Sequence, residues 1–435
     1  MIEIAGNARL AGLEKDLGLH GFDYNQVLSA FYIGYIVFEL PSVFACKLLG
    51  PGWYIPSMTI GFGIFSIVTA FCTNIHNISA VRFLLGVCEA GMLPGIAYYL
   101  SRWYRHKELA LRLALYIVMA PLAGAFGGLL ASGILGLKHF GSLRTWRMVF
   151  AIEGIITCGL GLVALCILPN RPESATWLSA SEKDLAIARV KLERPGTTEL
   201  IDKFNTPKIA KGLWNPVTLA TSLVFLLSNI TSQGLSFFTP TIVSSIYPGR
   251  SVVSNQLYTV PPYVVGAFFT LLIAYLSRRT GRYLVLYICV MPLLMCGFTL
   301  FLTSHNPTVR YAATFLAASA AFCFGVLGNA LISANVISDT SRSAGIGLNS
   351  MCGNIGGLIS TWSYLPFDKP DYVIGNGINL AASTARLLIC ALLWMWMIWD
   401  NKRRSRKDVE TEIGSLSMRE IQNLDWRNPA FRWKP

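Results

Sequence analysis

Eleven long apolar stretches run through the sequence, and each is near or above the roughly 20 residues that a helix needs to cross a hydrocarbon core. They occupy residues 27–46, 54–73, 78–100, 110–136, 148–168, 217–240, 256–277, 283–303, 311–337, 344–366 and 378–399. A membrane-spanning segment must satisfy its backbone hydrogen bonds internally, and a helix does so. The sequence therefore predicts an all-α integral membrane protein with 11 spans.

Composition excludes an ordinary soluble domain. Hydrophobic residues make up 53% of the chain and charged residues only 14%. A water-soluble fold with this composition would expose large apolar patches, which soluble monomers avoid.

The net charge of +13 comes from basic residues that are concentrated on one side of the predicted membrane. Of the 36 lysines and arginines, 26 lie in the loops after odd-numbered stretches or in the tail, and eight lie in the intervening loops. Loops rich in Lys and Arg remain cytoplasmic. The charge pattern thus indicates a cytoplasmic C-terminus and argues against nucleic-acid binding.

A polar, charge-rich segment at residues 169–216 separates five stretches from six. We therefore divide the chain into an N-terminal transmembrane half (1–168), a cytoplasmic linker (169–216), a C-terminal transmembrane half (217–400) and a cytoplasmic tail (401–435).

The linker contains two capping-box patterns, Ser179-x-x-Glu182 and Ser181-x-x-Asp184. These patterns predict a polar surface helix that continues to about Glu193. The tail is charged, and we expect it to be poorly ordered.

A glycine pattern is repeated in the fourth and tenth stretches. The matching residues are Gly124, Gly127 and Gly128 in one and Gly353, Gly356 and Gly357 in the other. Such spacings let a neighbouring helix approach closely. The offset of six spans predicts two six-helix halves with a substrate site between them near mid-membrane. Because only five stretches precede the linker, we expect the first helix to be missing from this sequence.

Arg82 and Glu89 are ionisable residues inside the third stretch, seven residues apart and hence on one helix face. Ionisable groups in a span are costly and mark substrate or proton pathways by default. We predict that Arg82 binds substrate and that Glu89 carries a coupling proton. Alternatively, Arg82 extends to the water interface and Glu89 is merely its partner.

Two further carboxyl groups, Glu39 in the first stretch and Glu153 in the fifth, are candidates for proton coupling, because burial penalises the charged form. Either could instead be a hydrogen-bonded structural group near a helix end. We interpret Arg386, in the last stretch, as structural.

Other polar residues within the spans are candidates for lining a substrate cavity. They are Tyr32, Tyr35, Tyr98, Asn229, Gln233, Asn329, Asn349 and Asn354. Each could instead serve packing or interhelical hydrogen bonding, which contributes only about 0.6–2 kcal/mol per bond.

The sequence lacks the motifs of an enzyme or a metal site. It contains no Gly-rich phosphate loop, no nucleophile elbow and no H-E-x-x-H, and its ten cysteines form no C-x-x-C pair. We therefore expect no catalytic residues, no metal and no cofactor.

Several segments resemble the anion:cation symporters of the major facilitator superfamily, and most nearly the fungal allantoate-permease branch. The segments are FYIGYIVFELPS from Phe31, RFLLGVCEAG from Arg82, AGAFGGLLA from Ala123, FAIEG from Phe150 and DWRNPAFRW from Asp425. The resemblance implies two six-helix halves and proton-coupled uptake of small organic anions or vitamin-like acids such as allantoate, nicotinate, pantothenate or biotin. It also implies roles in anion binding and proton coupling for Arg82 and Glu89.

The sequence departs from this family at three places. Of the family's Asp-Arg-Ser-Asn-Ile-Gly-Asn-Ala-like run only residues 6–8 remain, and Ile2 stands where the arginine belongs. Ser277 occupies the position of the superfamily's usual aspartate, and Val43 stands where the branch often has asparagine.

We predict a secondary active transporter that acts as a monomer in the plasma membrane and couples a small organic anion to a proton by alternating access. The alternative is a non-transporting truncated relative or a nutrient sensor that keeps the fold. Because the first helix is expected to be missing, through a misplaced start codon or as a genuine short form, we also predict poor transport by this form.

Overall fold

The computed structural model describes residues 2–104, 106–137, 139, 141–192, 206–336, 339–406 and 425–435. Within these residues the structure is helical, and no β-strand is present. The predicted all-α fold class is confirmed.

The described residues of the N-terminal half form eight α-helices. They are α1 (Ile2–Leu10), α2 (Leu13–Asp16), α3 (Asp23–Leu49), α4 (Pro51–Thr69), α5 (Ile75–Glu89), α6 (Met92–Trp103), α7 (His106–Leu135) and α8 (Trp146–Ile167). With only nine residues, α1 is too short to cross a bilayer.

The described parts of the linker and the C-terminal half contain nine α-helices. They are α9 (Ala180–Leu192), α10 (Thr206–Leu213), α11 (Pro216–Ile246), α12 (Val252–Thr280), α13 (Tyr283–Thr303), α14 (Pro307–Ala321), α15 (Cys323–Ala334), α16 (Asp339–Ser360) and α17 (Val373–Arg404).

Within the described residues, each of the eleven predicted stretches is largely α-helical. When α5 and α6 are counted as one span and α14 and α15 as another, the described chain has nine spans that are long and apolar enough to cross a membrane. The other two stretches form α11 and α16, which are 31 and 22 residues long but more polar. Polar side chains on these two helices face other helices of the protein, as described below.

The third and ninth spans are each broken near the middle. Ala90 and Gly91 separate α5 from α6, and Phe322 alone separates α14 from α15. A Cβ atom on Gly91 would collide with the hydroxyl group of Tyr54, so the chain needs glycine at the first break.

Helix ends follow from local sequence. The Asn215 side chain accepts hydrogen bonds from the backbone of Val217 (2.9 Å) and Thr218 (3.3 Å), and Pro216 follows it, so α11 begins there. Gly281 ends α12 in the left-handed conformation, with φ of 65°.

Within the N-terminal half, α3 packs against α5 and α4 against α8. The α3–α5 contact is close because Gly34 and Gly86 lie at the crossing. A Cβ atom on either glycine would collide with a backbone carbonyl oxygen, that of Phe83 or Phe31 respectively.

The two halves meet along α7–α12 and along α3–α16. The repeated glycines lie on α7 and α16. A Cβ on Gly128 would lie 2.8 Å from Thr259 Oγ1 on α12, and one on Gly357 would collide with the Tyr32 ring on α3. Equivalent glycines therefore face the opposite half at both contacts.

The other glycines of the repeat also lie at helix contacts or within α7. A Cβ on Gly124 would lie 2.8 Å from the Tyr263 ring of α12. Gly353 and Gly356 approach α11, and Gly127 is half-buried on α7.

The bundle has two ends. We call the end that carries residues 425–435 and the linker the tail face, and the end that carries the 11–22 and 361–372 connections the opposite face. In the linker, α9 begins after Ser179, whose backbone N–H donates to Glu182 Oε2 (2.9 Å). This bond lowers the pKa of Glu182. The predicted end of this helix at Glu193 lies outside the described residues.

The end of the tail is ordered, and for residues 425–435 our expectation of poor order is wrong. Trp433 is 2% exposed, and its Nε1 donates to Asp400 Oδ2 (2.7 Å). Asn401 exchanges two hydrogen bonds with the Trp433 backbone, both 2.8 Å long. Asn335 does the same with the Lys434 backbone at 2.9 and 2.7 Å. Paired backbone groups and a buried indole hold this segment, despite its charge. Residues 407–424 lie outside the described part.

The tail also contacts the linker. Trp426 Nε1 donates to the Lys211 carbonyl of α10 (3.1 Å), and Arg404 donates to the Trp426 carbonyl (3.0 Å). The tail therefore covers the tail-face ends of α15 and α17 and reaches α10.

Candidate functional site

The broken third span positions the two predicted charges. The Asn74 side chain accepts a hydrogen bond from the backbone of Asn77 and starts α5 at the opposite face. At about 1.5 Å per residue, Arg82 lies about 10 Å into the span. Glu89, the last residue of α5, lies about 10 Å deeper, immediately before the break.

Arg82 is enclosed by protein. Its side chain is 3% exposed, and its guanidinium carbon lies 5.1 Å from the centre of the Phe150 ring on α8. Its Nε is buried without a hydrogen-bond partner. A buried guanidinium keeps its charge, so this cation is desolvated and unpaired among the described residues.

Glu89 is half-buried, and its Oε2 has no hydrogen-bond partner among the described residues. No ion pair joins it to Arg82, although the two charges are near enough to interact. Tyr32, Tyr35 and Tyr116 also lie within the electrostatic influence of Glu89. Arg82 and Glu89 on α5 and Tyr32 and Tyr35 on α3 thus lie on two helices that pack together, and we call these four residues the polar cluster.

Glu153 lies on α8, three residues after Phe150, and its Oε1 is also unpartnered. It is thus close to the part of α8 that packs on Arg82.

Glu39 has a different environment. Ser350 Oγ donates to one of its carboxyl oxygens, and Asn354 Nδ2 donates to the other at 2.8 Å. Both partners belong to α16, so Glu39 joins the two halves. Asn354, which we predicted to contact the substrate, is hydrogen-bonded to Glu39 instead.

The remaining predicted cavity residues are dispersed. Asn349 Nδ2 donates to Asn329 Oδ1 (3.0 Å), joining α16 to α15. Asn229 donates to the carbonyl of its own helix four residues back (2.9 Å), and Gln233 is half-buried on the same helix. Tyr98 accepts a hydrogen bond from Arg102 near the tail face, about 24 Å along the span from Arg82.

Arg386 is fully buried in the C-terminal half, where it donates to three hydroxyl groups. These are Tyr287 (3.2 Å), Thr231 (3.3 Å) and Ser383 (3.2 Å), from α13, α11 and α17. This set of contacts accords with a structural interpretation.

Sequence reasoning did not single out Arg9. It is buried at the end of α1 and pairs with Glu14 at 2.7 Å. Its guanidinium lies 4.3 Å from the ring centre of Tyr24. Gly6 was the available signal, because a Cβ there would collide with the Phe237 carbonyl oxygen, which shows that α1 approaches α11 closely.

Hydrogen bonds join the two halves at the opposite face. They run from Asn25 to the Thr361 carbonyl, from Trp362 Nε1 to Ser29 Oγ (2.9 Å) and from Gln256 Nε2 to the Asn7 carbonyl (3.1 Å). The polar cluster is therefore covered on this side. Within the described residues, no group of three His, Cys, Asp or Glu side chains could hold a metal ion.

Comparison with known proteins shows which family shares this architecture. The model of the Major Facilitator Superfamily matches residues 4–361. An uncharacterized transporter of Schizosaccharomyces pombe is 30% identical over 98% of this chain and 84% of its own. An MFS-type transporter of Penicillium expansum is 31% identical over 99% of this chain and 85% of its own. A major facilitator-type transporter of Emericella nidulans is 30% identical over 98% of this chain and 87% of its own.

Among solved structures, a bacterial homologue of the human lysosomal transporter Spinster, in an inward-facing and unoccupied conformation, has a TM-score of 0.64 at 15% identity. The similarity covers 90% of this chain and 93% of that one, and it shows a shared fold.

Apolar spans around a buried polar cluster, together with these relatives, define a multi-pass integral membrane transporter rather than an enzyme. Because the family model covers most of its length, the chain belongs to the Major Facilitator Superfamily.

Proposed function

We propose that the protein is a proton-coupled symporter of a small organic anion, of the anion:cation symporter type, working by alternating access. The observation that carries the proposal is the enclosed guanidinium of Arg82, which lies on the same helix as the unpartnered carboxyl of Glu89.

Arg82 is suited to hold a substrate carboxylate. A guanidinium presents donors in a planar fork that matches the two oxygens of a carboxylate. A buried charge without a counter-ion is costly, and an anionic substrate would relieve that cost. Vitamin-like carboxylic acids, the class implied by the sequence resemblance, carry the required group.

Glu89 is the best-placed group for the coupling proton. A protonation site must exchange its proton during the cycle, which a carboxyl already held by two donors does less readily. Glu39 is held in this way by α16, whereas Glu89 and Glu153 each have a buried oxygen without a partner. This contrast favours Glu89 and Glu153 over Glu39 as the site of the coupling proton. Glu89 comes first because it lies on the same helix as Arg82.

We further propose that the tail face lies in the cytoplasm and that the protein acts as a monomer in the plasma membrane. Exposed basic residues on the tail face, including Lys402, Arg403, Arg427 and Arg432, support this orientation. The hydrogen bonds at the opposite face then support a state that is closed to the outside.

The test is uptake by the purified protein in proteoliposomes. Labelled allantoate, nicotinate, pantothenate and biotin are offered outside, with an inward proton gradient and with the gradient collapsed by a protonophore. We expect at least one acid to accumulate, weakly because this form is predicted to transport poorly, and the accumulation to be lost when the gradient collapses. Binding without accumulation would contradict the proposal and support a sensor.

Two substitutions test the assigned roles. Arg82→Lys keeps the charge but loses the fork, and we expect uptake to fall at least about tenfold, which corresponds to about 1.4 kcal/mol. Glu89→Gln removes the titratable proton, so that accumulation should stop while substrate exchange continues. Arg250→Lys and Glu173→Gln, both exposed, are the matched controls. Unchanged uptake in Arg82→Lys, or undiminished accumulation in Glu89→Gln, would refute the respective role.

A further inference from the structure

The tail-face end of the ninth span is fixed by hydrogen bonds to two other segments. Asn335 follows α15, and its side chain exchanges two hydrogen bonds with the Lys434 backbone, at 2.9 and 2.7 Å. The Asn335 carbonyl oxygen accepts a third from Nδ2 of Asn215, the residue that caps α11 (3.2 Å). The end of α15 therefore cannot move away without breaking its contacts with α11 or with the tail.

The tail holds this end of α15 to α17. Asn401 of α17 exchanges two hydrogen bonds with the Trp433 backbone, both 2.8 Å long, and the Trp433 indole donates to Asp400 (2.7 Å). The Trp433 ring also packs on Trp396 of the same helix, with 5.4 Å between the ring centres. Adjacent residues of the tail thus bind two different helices, and we call residues 425–435 the strap.

α15 is the part of the ninth span that contacts the other half of the protein. α14 packs mainly against α12 and α13, which belong to its own half, whereas α15 also contacts α7 of the N-terminal half. At that contact a Cβ atom on Gly325 would lie 3.0 Å from Cγ2 of Ile117. A change in the angle between the two halves would therefore act on α15 directly.

The ninth span is interrupted where α15 begins. Phe322 alone separates α14 from α15. Hinges in proteins are commonly one or a few residues at the ends of helices, which absorb the change in backbone angles. α15 is therefore a segment of 12 residues with an interruption at one end and the strap at the other.

We propose that the strap restrains α15. While the strap is docked, α15 keeps its position beside α11 and α17, and release of the strap lets α15 change its angle to α14 about Phe322. The inference concerns how the ninth span moves and goes beyond the proposed function, because it depends on neither the substrate nor the coupling ion.

The experiment measures hydrogen–deuterium exchange by mass spectrometry on the purified protein in detergent. Asn401→Ala removes both side-chain hydrogen bonds to the Trp433 backbone and alters no residue of α14 or α15. We expect exchange in α15 to become about 5- to 150-fold faster, the effect of losing two hydrogen bonds. Exchange in α14 should stay unchanged. Trp433→Phe, which loses the indole donor, should act in the same direction.

Lys402→Ala is the matched control. Lys402 is the next residue along α17, and its side chain is exposed. We expect this variant to exchange like the wild type in both helices. If α15 exchanges at the wild-type rate in both Asn401→Ala and Trp433→Phe, the strap does not restrain it and the proposal is overturned. Equal acceleration in α14 and α15 would also overturn the proposal, because the strap would then stabilise the whole bundle instead of one segment.

Discussion

The docked tail yields a prediction about stability. Trp433→Ala removes a side chain that is 2% exposed and contacts the rings of Phe431 (4.9 Å), Trp396 (5.4 Å) and Trp426 (6.0 Å). Truncation of a buried tryptophan to alanine costs about 3–5 kcal/mol. The substitution also removes the indole donor of Asp400, which then keeps its 2.6 Å contact with Arg404.

We expect the midpoint of thermal unfolding in detergent to fall by about 6–20 °C. This range follows from about 2–4 °C per kcal/mol for a domain of 150–250 residues. Trp433→Phe keeps an aromatic ring but loses the Nε1 bond and part of the indole volume, so it should cost about 1–3 kcal/mol. Unfolding of such proteins is often irreversible, so all variants are compared at one scan rate.

The control is Trp399→Ala, which lies on α17 next to Asp400 but is 57% exposed. We expect it to change the midpoint by only about 1–2 °C, since exposed substitutions are usually within about 0.5 kcal/mol. A Trp433→Ala midpoint equal to that of Trp399→Ala would show that the tail contributes nothing, and the reasoning would be refuted.

Two other predictions concern helix contacts. Gly91→Ala should lower stability by about 1–3 kcal/mol, because its Cβ would collide with Tyr54. Gly347→Ala is the control, since open space surrounds Gly347, and it should leave stability unchanged. Equal melting curves for the two variants would contradict this prediction. A double-mutant cycle on Glu39→Gln and Asn354→Ala should give a coupling energy of about 0.5–3 kcal/mol, measured by thermal unfolding. The reason is that the two side chains share a 2.8 Å hydrogen bond. Additive effects of the two substitutions would show that the side chains do not interact.

Much of the fold could be predicted because a bilayer imposes a length and a polarity on each helix. The stretch at 283–303 coincides with α13, which is apolar along its whole length. The last stretch, 378–399, was too short because α17 continues through polar residues from Val373 to Arg404. Hydropathy detects the part of a helix that crosses the apolar layer, and it is insensitive to polar turns beyond it.

The candidate site was predicted less completely, because the sequence shows which groups are costly to bury but not what they meet. Arg82 and Glu89 were recognisable as charges inside a span. The partners of Glu39 lie 311 and 315 residues away along the chain, so no local pattern could reveal them.

The break at Ala90–Gly91 has a mechanical consequence. On one side of it, α5 is fixed to α3 by the glycine crossing at Gly34 and Gly86. On the other side, α6 packs against α4, α7 and the linker helix α9, with a smaller contact to α3. Because the helix is interrupted between Arg82 and the tail face, we predict that the angle between α5 and α6 can change while the glycine crossing keeps the guanidinium in place.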